Sequence, residues 1–504
     1  MMWRKSAILV GILLVTFCFY NSASADTDLI TYGVGVDATT LDPQMVDNVP
    51  TANAVMHIHE TLTTWDKDMN IVGKLAEKWE VAPDGKTWTF HLRKGIKFHD
   101  GADFNADAVK KSFERILDPA TGSPRRSILS MIVEMNILDP YTIQLVTAEP
   151  FGPFLSQLAT YNASILSPKA IDSYGKDYGT HPAGTGPFAL KEWLPGEQIA
   201  FQRNEDYWGN KPKTKNLVFK VIPEMTTRVM ALQTGEVDII SNVPPFMVEQ
   251  LKKSKNVEVI VAEGFRTIYI GMNMERPPFS DIRVRQALYH AIDRDTIVNN
   301  ILNGLATKAV GPESTSIPGA AKDLKTYEYD PQRAKALLEE AGYPNGVKVV
   351  FISPFGRYNM DKQVAEAIQA QIAESGFKAD LQILDFAIIT NILREGNCDM
   401  FLMGKGSPSG DLDFTAQICW KTGGSLNYSG LSDPEIDNLV DEQRRTVDLK
   451  KRYEILHKMQ EKLQELLPWV PLYYEKQIAA KSKNLTGEFI WPNEFIDLRY
   501  AEKN

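Results

Sequence analysis

Three cysteines in 504 residues leave little room for crosslinking. Cys18 falls in the leader described below, so at most one bridge, Cys398–Cys419, could form. An oxidising compartment permits that bridge. Two buried free thiols are the other reading, because sequence carries no Cβ geometry. Histidine is also sparse, at seven, and clusters only in His57-Ile58-His59-Glu60. Histidines two apart on a helix face different sides, and the order is not H-E-x-x-H. No P-loop or G-x-G-x-x-G follows a strand. Gly406-Ser407-Pro408-Ser409-Gly410 has proline where a nucleophile elbow needs serine. With no nucleophile–base pair in view, neither an enzyme nor a cofactor or metal site is expected. Basic excess is missing too: the net charge is −9. That argues against nucleic acid as a partner, since nothing concentrates cations against phosphate. Beyond the leader there is no apolar run of the roughly 20 residues a membrane span needs.

What is present begins with that leader. Arg4 and Lys5 precede an apolar stretch from Ala7 to Tyr20, and Ala23-Ser24-Ala25 follows. This is the layout of a secretory signal, with cleavage expected after Ala25 and a soluble periplasmic protein starting at Asp26. Bulky Phe17 before Cys18 speaks against a lipobox. Losing two of 55 basic residues against 64 acidic ones takes the net charge to −11. The remaining length exceeds one simple core and implies two or three domains.

The halves differ in pattern. Pro83-Asp84-Gly85-Lys86 is a turn, after which Trp88, Phe90 and Leu92 alternate with polar residues as in a half-buried hairpin strand. A helix is expected over 53–63 and another from Asn105 or Ala106 to Leu117. In the second half, strands over 347–352, 377–384 and 399–403 alternate with helices over 362–374 and up to Arg394. That alternation implies parallel βαβ units in an open α/β sheet. Leu449 to Leu467 carries a single apolar stripe and stops at Pro468, as a core-facing helix would. Open α/β sheets bind ligands beyond the carboxyl ends of their strands. Those ends are Pro354–Met360 and Gly404–Asp413, and both should emerge on one edge. Asp411-Leu412-Asp413 is either a carboxylate pair or an N-cap on the following helix.

Ordered blocks along most of the chain then carry a resemblance. Leu75-Ala76-Glu77-Lys78-Trp79-Glu80 leads into Pro83 to Phe90, then His91-Leu92-Arg93-Lys94-Gly95-Ile96-Lys97-Phe98-His99-Asp100-Gly101. Further blocks are Gly184-Thr185-Gly186-Pro187-Phe188, Arg203-Asn204-Glu205-Asp206-Tyr207-Trp208-Gly209, Thr234-Gly235-Glu236-Val237-Asp238 and Val284-Arg285-Gln286-Ala287-Leu288. Together they closely resemble family 5 extracellular solute-binding proteins, the peptide and nickel receptors of ABC importers. The resemblance implies a two-lobed α/β periplasmic binding protein fold with mixed sheets and a hinge. It implies lobe I from 26–70, 180–271 and 480–504, an inserted subdomain over 71–179, and lobe II over 272–479. It also implies a monomer that closes on a small solute and presents it to transmembrane permease subunits.

In peptide-binding relatives the segment matching Met403–Asp413 pairs with the ligand backbone, which places Gly404 and Gly406 at the ligand. Many relatives carry Trp where this chain has Lys405, and an Asp for the peptide ammonium where it has Pro408. Asp411 is the nearest carboxylate that could replace that Asp. Arg357 matches an arginine that holds a ligand carboxylate. Arg357 with Lys405 points to an anionic solute such as an acidic or glutathione-like peptide, an opine or a chelate. A nickel or chelate receptor using His57 or His59 is the alternative inside the family. A secreted peptide hydrolase or a folding helper is the alternative outside it.

Overall fold

The structure is a computed structural model and describes residues 27–46, 48–487 and 490–504. The expected signal segment lies outside the described residues. Where it is described, the chain builds three principal sheets.

The first has seven strands. Leu29–Val34 runs parallel to Asn216–Val221 and to Ile239–Ser241. Gln198–Arg203 and Phe188–Leu194 extend one side as antiparallel strands, and Gln477–Ser482 and Val257–Ala262 extend the other. The second sheet has six strands, in the order Ala306–Lys308, Trp469–Glu475, Thr267–Met272, Met400–Lys405, Val347–Pro354, Phe377–Leu384. The last three are the βαβ units expected from sequence, with Val347–Pro354 parallel to both neighbours. Their helices are Asp361–Glu374 and Phe386–Arg394. Val364, Ile368 and Ile372 of the first pack into the core of this sheet, and Gly376, at φ 101°, lets the chain turn back into the next strand.

Four strands form the third sheet: Ala76–Val81, Thr87–Leu92, Thr142–Thr147 and Ile132–Asp139. Trp88, Phe90 and Leu92 are buried while Thr87, Thr89 and His91 are half-buried, as period two requires. Helix Ala106–Leu117 covers this sheet with Val109, Phe113 and Ile116. Asn105 caps it by accepting from Ala108 N at 3.0 Å. The helix expected over 53–63 runs instead over Val49–Ile58. Asn48 caps its start, and His59 leaves the helical region at its end.

The chain crosses between the two large sheets at 263–266 and again at 476. These points fall a few residues ahead of the breaks expected at 271 and 479, because strand pairing holds Thr267–Met272 in the second sheet and Gln477–Ser482 in the first. The crossings touch: Glu475 N donates to Arg266 O at 2.8 Å. A Cβ on Gly264 would lie 2.4 Å from Glu475 O, so only glycine lets the two passages run side by side.

Both cysteines are free thiols. Burial pushes Cys398 and Cys419 each up to about 12. Since the thiolate is the reactive form, neither should take up a maleimide in the folded protein at pH 7, and both should do so in urea. Mass spectrometry of the adducts checks this.

Candidate functional site

Parallel pairing of Val347–Pro354 with Met400–Lys405 sends both carboxyl ends to one edge of the sheet. Past the first end, Asp361 gathers the turn by accepting from the N–H groups of Gly356, Arg357 and Tyr358 at 2.8–3.0 Å. Tyr358 then reaches across, its hydroxyl donating to Gly404 O at 3.3 Å. Arg357 is exposed beside it, its guanidinium 5.3 Å from the Tyr358 ring and 5.2 Å from the Phe386 ring. A Cβ on Gly404 would meet both Ile268 and Tyr358 at 2.6 Å, so glycine is set there by packing. Gly406 has no contact of that kind; its nearest neighbour, Phe265 O, is at 3.5 Å.

Lys405 places its ammonium 4.4 Å from the Phe414 ring centre. No carboxylate lies within ion-pair distance of it among the described residues. Burial pushes it below the ordinary lysine range. Cys419 and Glu313 oppose that shift, and the Arg266 and Arg125 charges add to it. Glu313, missed from sequence, is buried and accepts from Trp420 Nε1 at 3.1 Å. Burial pushes its carboxyl up to about 8.

Asp411 is placed differently from the ammonium partner considered above. It is buried and spends both oxygens inside the protein. Arg452 grips it through Nη1 at 2.7 Å and Nη2 at 2.5 Å. Ser156 Oγ donates at 2.8 Å, and Asp413 N makes the N-cap bond at 2.8 Å. The N-cap reading is the one this geometry satisfies. Asp411 also ties its segment to Ser156, in the region of the four-stranded sheet.

The two clustered histidines are spent as well. His57 Nδ1 bonds Asn53 O at 2.7 Å and its Nε2 accepts from Leu498 N at 3.1 Å. His59 pairs with Val55 O at 3.1 Å and Tyr178 Oη at 2.9 Å. Burial lowers them to about 4 and about 3. No group of three or more His, Cys, Asp or Glu placed to hold a metal occurs among the described residues.

Facing Pro408 is a wall that sequence did not reveal. Trp65, Thr160, Tyr161, Trp491, Asn493, Phe495 and Arg499 enclose, with Pro408, a cavity of about 60 Å³. His59, Glu60 and Lys74 also reach it. Glu60, however, already accepts from Thr185, Tyr207 and Trp208 at 2.8 Å each and pairs with Lys74 at 3.0 Å.

The sequence profile of the bacterial extracellular solute-binding proteins, family 5 (middle region), matches residues 70–427. The chain belongs to this family. Glutathione-binding protein GsiB of Shigella dysenteriae serotype 1 is 32% identical over 504 residues, covering 98% of each chain. Among solved structures, the periplasmic binding protein DppA of Helicobacter pylori, in complex with the peptide STSA, superposes with a TM-score of 0.77. It is 29% identical and covers 94% of this chain and 98% of its own. AgaA from A. tumefaciens R10, in complex with agropinic acid, gives a TM-score of 0.73 at 30% identity, covering 94% and 96%. As a family 5 member the chain is a solute-binding component of an ABC importer, working with permease subunits, and not an enzyme. No helix among the described residues is long and apolar enough to cross a membrane.

Proposed function

We propose that this family 5 protein is a monomeric periplasmic receptor, cleaved after Ala25, for a small anionic peptide-like solute of the glutathione type. In this reading the described residues of 27–70, 180–262 and 477–504 form one lobe and 71–179 ride on it as a subdomain. Residues 267–475 form the other lobe, which closes about the paired crossings beside Gly264. Lys405 carries the proposal. It is a largely buried ammonium with an aromatic ring on one side, cationic neighbours and no described carboxylate in reach. An unpaired buried charge costs several kcal/mol, and an anionic ligand would remove that cost. Arg357 adds a second cation at the rim, Gly406 leaves the backbone beside Lys405 open to a ligand, and Gly404 is given a packing role. Asp411 is given a positioning role. Two relatives support the chemistry: one is named for glutathione, the other was solved with agropinic acid, and both compounds are carboxylic acids.

Calorimetric titration of the mature protein with glutathione tests this. Saturable one-to-one binding is expected. Lys405→Ala and Arg357→Ala should each weaken it by about tenfold or more, which is about 1.4 kcal/mol. The loss should shrink at high salt less for Lys405 than for exposed Arg357. Absence of binding, or wild-type affinity in both variants, would overturn the proposal.

A further inference from the structure

We infer that the cavity between Asn493, Arg499 and Pro408 is a subsite for an amido-carboxylate end group, the –NH–CH₂–COO⁻ of a glycine-terminated ligand. This rests on the reading of the interlobe cleft as the ligand site and names what one end of it takes.

Asn493 is 9% exposed, and its Oδ1 is buried without accepting any hydrogen bond from the described residues. A buried acceptor left unpaired is destabilising, so the position calls for a donor from a bound molecule. Arg499 lines the same cavity. Its Nε and Nη2 are held by the two oxygens of Asp497, at 2.8 and 2.6 Å. That grip fixes the plane of the guanidinium, and among the described residues no hydrogen bond engages Nη1. The remaining ionisable groups of the lining are committed elsewhere: His59 to Val55 and Tyr178, Glu60 and Lys74 to each other. Among the charged groups of the lining Arg499 is thus the cation left with a donor to offer, and Asn493 Oδ1 is the buried acceptor without a partner. An N–H one carbon away from a carboxylate complements that pair, the N–H donating to Asn493 Oδ1 and the carboxylate accepting from Arg499.

Size selects the residue. At roughly 10–15 Å³ for each water-sized group, the cavity of about 60 Å³ holds on the order of four to six heavy atoms. The end group has five. Trp65, Tyr161, Trp491 and Phe495 wall the space, leaving no room for a side chain on the terminal residue. The rest of the ligand would leave past Pro408 toward the segment bearing Lys405, where a second carboxylate finds its cation.

The test uses N-acetylglycine and N-acetylglycinamide, titrated by nuclear magnetic resonance into the mature protein while the indole N–H signals of Trp65 and Trp491 are followed. N-acetylglycine should give saturable shifts, and the amide should bind at least about tenfold more weakly. Asn493→Ala should weaken the acid by a similar factor. Asn493→Asp keeps the shape but sets an anion against the carboxylate, and should abolish binding. Neither variant removes a hydrogen bond from the fold, and thermal melting checks that both stay native. Lack of saturation, equal binding of acid and amide, or wild-type affinity in both variants would overturn the subsite. Glutathione calorimetry is read separately: its failure alongside N-acetylglycine binding removes the glutathione reading and upholds the subsite.

Discussion

Replacing Arg452 by methionine is expected to lower the free energy of unfolding by about 3–5 kcal/mol, the cost of leaving a buried carboxylate without its partner. The partner in question is Asp411. Burial alone would raise its carboxyl, but the Arg452 guanidinium, with the Asp413 N–H and Ser156 hydroxyl, outweighs burial and holds it below the usual range. Arg452 is itself fully buried, its Nε and Nη2 also bonding Gln443 Oε1 at 3.1 and 2.9 Å. Gln443 passes the network on to Asp413 Oδ1 at 2.7 Å. Ser156, Asp411, Arg452, Gln443 and Asp413 are thus each hydrogen-bonded to another member of the network, and removing one strands its neighbours.

The pair Asp411→Asn and Arg452→Met completes a double-mutant cycle in urea. Each single change should cost several kcal/mol, and the double should recover much of that, because a matched neutral pair has no stranded charge. The same variants separate a positioning role from a ligand role. If Asp411 bound a ligand ammonium, Asp411→Asn would lose affinity at native stability. The geometry predicts the reverse: loss of stability, with affinity falling only as the Ser156 tether loosens.

Sequence reasoning reached this network only halfway. Asp411 was legible as an N-cap because capping is local: the acceptor lies two residues from its donor. Arg452 was not legible as its partner, since Leu456, Met459 and Leu463 set the apolar stripe of helix Leu449–Leu466 and nothing in that periodicity marks a buried arginine. The same division runs through the whole molecule. Strands expected over 347–352, 377–384 and 399–403 run over 347–354, 377–384 and 400–405, and their parallel order sends the two carboxyl ends to one edge as expected, where Tyr358 meets Gly404. Family blocks carried the fold class and the importer role. The wall opposite was hidden because Trp65, Thr160 and residues 491–499 are far apart in the chain and share no period. Glu313 was hidden for a related reason: it sits outside any helix or strand, and nothing local announces that Trp420, over 100 residues later, will bury it.

Glu313→Gln should stabilise the protein strongly above neutral pH and hardly at all at pH 5. The sign follows from proton counts. The folded carboxyl titrates at about 8 against an ordinary 4.5, so between those values the folded state keeps a proton that the unfolded state has lost. Stability is complete below pH 4.5 and falls as pH rises toward 8, by about 1.4 kcal/mol per pH unit. Across the window this amounts to roughly 4 kcal/mol by pH 8. Glutamine has nothing to titrate, and its Oε1 can still accept from Trp420 Nε1. Urea midpoints of the variant and the wild type should therefore nearly coincide at pH 5 and diverge steadily to pH 8; parallel profiles would rule the account out. The same proton bears on the ligand. A neutral Glu313 leaves the positive potential at Lys405 free for an anion, while an ionised one competes for it. Between pH 7 and pH 9 affinity for an anionic solute should thus fall in the wild type and fall less in Glu313→Gln, where Lys405 alone titrates, a divergence that calorimetry at the two pH values would read directly.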